Sequence, residues 1–99
     1  MVQVTEEDKR VIGKVEKSVC GFLGVKEQAL VNNDMTIDTS LARGFVMYIL
    51  HVEYGMSIQK LCLTYFRTKQ GIYWQINKIK AFLKLKRYRE MYDSFGIIN

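Results

Sequence analysis

Apolar residues recur at spacings of three and four along most of the chain, and no stretch alternates with period two for long enough to make a strand. Val11, Ile12, Val15, Val19 and Phe22 form the first helical run. Thr5 is placed to cap it through its hydroxyl, with Asp8 three residues on as a variant of the capping box. Glu6 and Glu7 suit the positive end of the helix dipole, and Gly24 suits its end. Residues 26–30, KEQAL, fit one or two helical turns, and residues 31–38, VNNDMTID, read as a loop. A longer helix, capped by Asp38 or Thr39 and running to Tyr54, carries Leu41, Phe45, Tyr48, Ile49 and Val52. Gly55 ends it and Ser57 caps the next, Ile58 to about Tyr65, with Ile58, Leu61, Cys62 and Tyr65 on one face.

A tight turn near 66–69 follows, then a helix to about Leu85 with Ile72, Ile76, Ile79 and Leu83 as its inward stripe. A last helix at about 87–95 presents Tyr88, Met91, Tyr92 and Phe95. The pattern predicts one all-α domain over residues 1–99, with five or six helices. Residues 57–85 give a short helix, a tight turn and a longer helix, the sequence appearance of a helix-turn-helix.

With the isoleucine stripe set inward, the opposite face of that longer helix holds Gln70, Tyr73, Trp74, Asn77, Ala81 and Lys84. Lys69 stands at its N-terminal tip, and Lys78 and Lys80 flank the face. Amides and lysines at the start of such a helix can hydrogen-bond base edges in a major groove, aromatics can pack on sugars or thymine methyls, and flanking lysines can meet phosphates. Against this stands a plainer reading: Tyr73 or Trp74 belongs to the core under the last helix, and the lysines are a solvated face.

Charge changes the balance between these readings. The net charge is +5, and between Arg67 and Arg89 there are eight cations and no acid. Between Val31 and Ile58 there are three acids (Asp34, Asp38, Glu53) and one cation, Arg43. The positive charge is therefore concentrated toward the C-terminal end, where the outward helix lies, and an anionic partner fits it. Cys20 and Cys62 lack metal or CxxC spacing and read as buried thiols in a reducing compartment. The opening MVQVTEEDKR does not read as a signal peptide, and no apolar run approaches the ~20 residues that cross a bilayer. The expected location is the cytoplasm, with no membrane partner. His51, the only histidine, has no nucleophile or ligand partner at a telling spacing and reads as a surface residue. No catalysis and no cofactor are expected.

Three segments together resemble the C-terminal DNA-binding domain of the bacterial replication initiator DnaA. GFLGVKEQAL (21–30) is similar to the family's aromatic-x-GV segment and the short helix after it. LARGFVMYILHVEYGMSIQKL (41–61) contains the AR-x-x-x-M-Y-x-L pattern and the G-x-S-x-x-x-[LI] turn. IYWQINKI (72–79) resembles the family's VLHAIRKI. The likeness covers about residues 8–95, with one residue fewer near 66–69. It implies a Trp-repressor-like all-α fold in which an unusually long helix precedes a helix-turn-helix. It further implies binding to duplex DNA at a short consensus box, one helix reading the major groove and a basic loop reaching the minor groove. The chain has no G-x-x-x-x-G-K-[ST] loop, so ATP-driven opening of an origin is not expected of it alone.

Carried over by position, Arg67 matches the arginine of the family's turn, and Lys78 matches the lysine of its R-K-I segment. The base-reading Asp-His-Thr falls on Thr68, Lys69 and Gln70, and the next Thr on Gly71, so none of these is retained. The basic loop falls on residues 34–43: its cations become Met35, Thr36 and Ile37, while Arg43 remains. The resemblance therefore implies a kept scaffold with exchanged reading chemistry. Each lost bidentate base contact removes about 1–3 kcal/mol of discrimination. The expected function is double-stranded DNA binding with altered or relaxed specificity, through Arg43, Arg67, Thr68, Lys69, Gln70, Tyr73, Trp74, Asn77 and Lys78. The alternative is a protein-interaction or self-association module using Tyr73 and Trp74.

Overall fold

A computed structural model describes residues 2–32 and 36–96, and among these it contains helices and no strand. Five α-helices follow in order: α1 (Glu6–Leu23), α2 (Ile37–Tyr48), α3 (Ile58–Tyr65), α4 (Lys69–Phe82) and α5 (Lys86–Ser94). A 3₁₀ segment, Glu27–Val31, joins α1 to α2, and α2 continues into a π-helical segment, Ile49–Glu53. The middle of the expected loop, with Asp34 and Met35, lies outside the described residues.

Several helix ends are set by the side chains that the pattern picks out. Thr5 accepts from the Asp8 amide at 3.1 Å, and the Asp8 carboxylate accepts from the Thr5 amide at 2.9 Å, a complete reciprocal cap. Gly24 closes α1 in the left-handed region at φ 69°. Ser57 caps α3 by accepting from the Lys60 amide at 3.2 Å. Two other ends differ from expectation. The cap of α2 is Thr36, not Asp38 or Thr39; its hydroxyl accepts from the Thr39 amide. The end of the long helix widens into π turns, where the Tyr54 amide donates to the Ile49 carbonyl five residues back.

One hydrophobic core runs through the elements. Val15 and Val19 of α1, Phe45 and Val46 of α2, Leu61 and Tyr65 of α3, and Ile72, Ile76 and Ile79 of α4 are all buried. Each such side chain contributes about 1.5–3 kcal/mol relative to exposure. Helix α5 docks through aromatic edges: the Phe95 ring stands 5.0 Å from Phe45 and 5.5 Å from Phe22. Phe82 and Tyr88 stack at 4.8 Å across the junction of α4 and α5.

Helix α2 is the platform for α4. Gly44 lets the two backbones approach, because a Cβ there would lie 2.9 Å from Ile79 Cγ1 and 3.2 Å from Gln75 Oε1. The isoleucine stripe faces this platform, which turns the opposite side of α4 to solvent. No helix is long and apolar enough to cross a membrane among the described residues.

Candidate functional site

Helix α4 is built to present one face. Thr68 caps it by accepting from the Gly71 amide at 3.1 Å, and the Ile72 amide donates to the Thr68 carbonyl at 3.0 Å. Burial of Ile72, Ile76 and Ile79 fixes its rotation. Lys69, Gln70, Tyr73, Trp74 and Asn77 are then exposed along one side, with Tyr73 48% and Trp74 61% accessible. The side chains of Lys69, Gln70 and Asn77 make no hydrogen bond to another described residue. Lys80, Ala81 and Lys84 extend the exposed surface toward the C-terminal end of the helix.

Four of the expected contact residues are engaged inside the fold. Arg43 is only 2% exposed. Its Nε donates to the Leu30 carbonyl at 2.9 Å, and its Nη2 to the carbonyls of Ala29 and Asn32 at 3.2 and 3.0 Å. The expectation that Arg43 meets DNA is therefore corrected: it satisfies the 3₁₀ segment's carbonyls and is sealed from any duplex. Arg67 is half-buried and spends Nη2 on the Asn32 carbonyl at 2.9 Å. The Thr68 hydroxyl oxygen is occupied as the cap acceptor, leaving only its O–H to point elsewhere.

Lys78 is tied down as well. Its Nζ donates to the Ser40 hydroxyl at 3.0 Å and carbonyl at 3.4 Å, and lies 4.9 Å from the centre of the Trp74 ring. Burial pulls its ammonium below the ordinary lysine value, and the nearby Arg43 charge adds to the effect. Lys78 thus pins α4 to the first turns of α2 and braces Trp74. It also lines a shallow apolar groove of about 280 Å³ with Ile37, Leu41, Trp74, Phe82 and Tyr88.

His51 is half-buried, not a surface residue, and its Nδ1 donates to the Met56 carbonyl at 2.8 Å, closing the π segment. Cys20 is buried, which pushes its thiol up to about 11, with Glu16 and Glu27 adding to the shift; Cys62 is only half-buried. Among the described residues no three His, Cys, Asp or Glu side chains gather as metal ligands.

Residues that the sequence reading passed over are Phe66, 81% exposed in the turn before α4, and Ile37, 84% exposed beside Trp74. The sequence does carry a signal for Phe66: the turn FRT (66–68) contains no glycine before α4 begins. Comparison with protein-family models, curated proteins and solved structures returns no match for this chain.

Proposed function

We propose that the chain is a double-stranded DNA-binding module in which α3 and α4 act as a helix-turn-helix, with α4 as the reading helix. The observation that carries this reading is the row Lys69, Gln70, Tyr73 and Asn77: exposed, on one side of α4, and with polar groups unspent inside the fold. Gln70 and Asn77 have the amide chemistry for adenine N6 and N7, and Lys69, at the N-terminal tip of the helix, suits a phosphate beside them. Lys80, Lys84, Arg87 and Arg89 are exposed and suit phosphates.

The resemblance to the replication-initiator domain supports the same reading and its restriction. Its reading residues are exchanged here, and the retained Arg43 is buried, so the family's usual box is not the target. With the family's base-reading residues exchanged and Arg43 sealed, binding rests on phosphate contacts, and the affinity is expected to be micromolar or weaker at physiological salt. Fluorescence anisotropy with a random-sequence duplex tests this: binding at low salt that falls steeply as salt rises supports it, and no binding at low salt overturns it. Gln70→Ala and Asn77→Ala are expected to relax sequence preference while leaving the salt slope in place.

A second reading is favoured by one surface. Ile37 and Trp74 flank the groove between α2, α4 and α5, and an apolar rim of this kind suits a second copy of the chain. Light scattering that shows a monomer at high concentration excludes that self-association.

A further inference from the structure

The turn between α3 and α4 carries a conformational cost at Phe66 that burial of its ring does not offset. Phe66 has φ 55° and ψ 46°, in the left-handed region, and is the sole non-glycine with positive φ among the described residues. Glycine adopts this geometry freely; a residue with a Cβ is strained in it. The geometry itself is required, since it reverses the chain so that Arg67 reaches the Asn32 carbonyl and Thr68 caps α4. The phenyl ring is not required for that. A ring buried in the core would compensate for the strain, but this one is 81% exposed. Its chain neighbour Tyr65 already supplies the core contact.

The chemistry around the turn is one-sided. Cys62, Leu63, Arg67, Thr68 and Lys69 line a shallow depression of about 490 Å³ that has no acidic residue in its lining. Leu63 and Lys69 are both exposed, so the turn offers apolar surface beside a free cation. Phe66 precedes the first residue of α4 by three positions.

We propose that Phe66 packs on the deoxyribose edge of a DNA strand beside α4, while Lys69 meets an adjoining phosphate. The inference rests on the duplex-binding reading of α4 and deepens it by adding an apolar contact from the turn. A sugar–phosphate strand offers what this surface lacks: C–H surface for the ring, alternating with anionic groups for the cations. The absence of any acid from Arg67 to Arg89 makes that complementarity continuous with α4. Phe66 is thus a positioning contact that sets how α4 enters the groove.

The full chain carrying Phe66→Gly, and separately Phe66→Tyr, tests this by thermal unfolding and by duplex titration over a salt series. Phe66→Gly is expected to raise the unfolding midpoint by about 2–5 °C, because the strain is relieved. It is expected to weaken duplex binding roughly tenfold through lost apolar contact. Its salt slope should match that of the unmodified chain, because no charge has changed, whereas Lys69→Ala should lower the slope by about one. Phe66→Tyr keeps the ring and should bind within about twofold of the unmodified chain. If the unmodified chain binds duplex and Phe66→Gly binds equally well, the Phe66 assignment falls and the α4 reading stands. A lowered midpoint in Phe66→Gly means the ring serves the fold, and also overturns the assignment. If the unmodified chain fails to bind duplex at low salt, both readings fall.

Discussion

Arg43 and Arg67 converge on one acceptor: the carbonyl of Asn32 takes the Nη2 of Arg43 at 3.0 Å and the Nη2 of Arg67 at 2.9 Å. One arginine comes from the middle of α2 and the other from the turn before α4. The chain leaving the 3₁₀ segment is thereby fastened both to the central helix and to the start of the proposed reading element. Two cations that sequence alone offers to DNA are spent on this junction.

Replacing Arg43 by Ala is expected to take the donor from the Leu30 carbonyl, to leave the carbonyls of Ala29 and Asn32 with only the Asn32 amide and Arg67, and to open a cavity. The loss should be about 3–5 kcal/mol, read by denaturant unfolding. At temperatures where the variant stays folded, its salt slope for duplex should be unchanged, because Arg43 touches no phosphate.

Gly44→Ala probes the α2–α4 platform. The added Cβ meets Ile79 Cγ1 at 2.9 Å and Gln75 Oε1 at 3.2 Å, so α4 or Ile79 must shift. A loss of about 1–3 kcal/mol is expected, with weakened duplex binding even where the fold persists. Unchanged stability would show that the helices separate freely there.

Acid should act through Asp8. Its hydrogen bond from Lys60 at 2.7 Å is the largest cause holding the carboxyl at about 2, with the Thr5 amide next. A folded-state value below the unfolded one means stability present above about pH 4 and lost as the pH falls toward about 2. Asp8→Asn should remove that part of the acid dependence, as seen by unfolding midpoints measured across this range.

Glu16 should act with the opposite sign. Burial raises its carboxyl, partly offset by the hydroxyl of Tyr65 donating to it at 2.7 Å. A raised folded-state value favours the protonated form, so this group's contribution is present at low pH and lost as pH rises past the ordinary carboxylate range. Glu16→Gln keeps an acceptor for Tyr65 and should abolish that decline in stability on going toward neutral pH.

Much of the fold is legible in the sequence because it rests on local chemistry. The Thr5–Asp8 reciprocal cap, the stop at Gly24, the Ser57 cap and the isoleucine stripe are all written within a few neighbouring residues. Thr36 was missed as a cap because Asp38 and Thr39 carry equally good oxygens, and only the path of the preceding chain selects among them. The π turns at 49–53 have no distinct periodicity of their own. The candidate site was legible where exposure follows from helix rotation, as for Gln70, Tyr73, Trp74 and Asn77. It was not legible for Arg43, Arg67 and Lys78, whose partners are carbonyls and a serine far away in sequence. An arginine that will be sealed under a 3₁₀ segment looks, as a letter, like one that will meet a phosphate.

The central claim is that the outward side of α4 receives a duplex. The most direct test is an amide and indole NMR titration of the chain with a random-sequence duplex at low salt. The account expects the largest shifts at Phe66, Lys69, Gln70, Tyr73, the Trp74 indole and Asn77, with α1 between Arg10 and Phe22 unmoved. A saturating duplex that leaves these signals in place, or that shifts α1 in preference to α4, would contradict it.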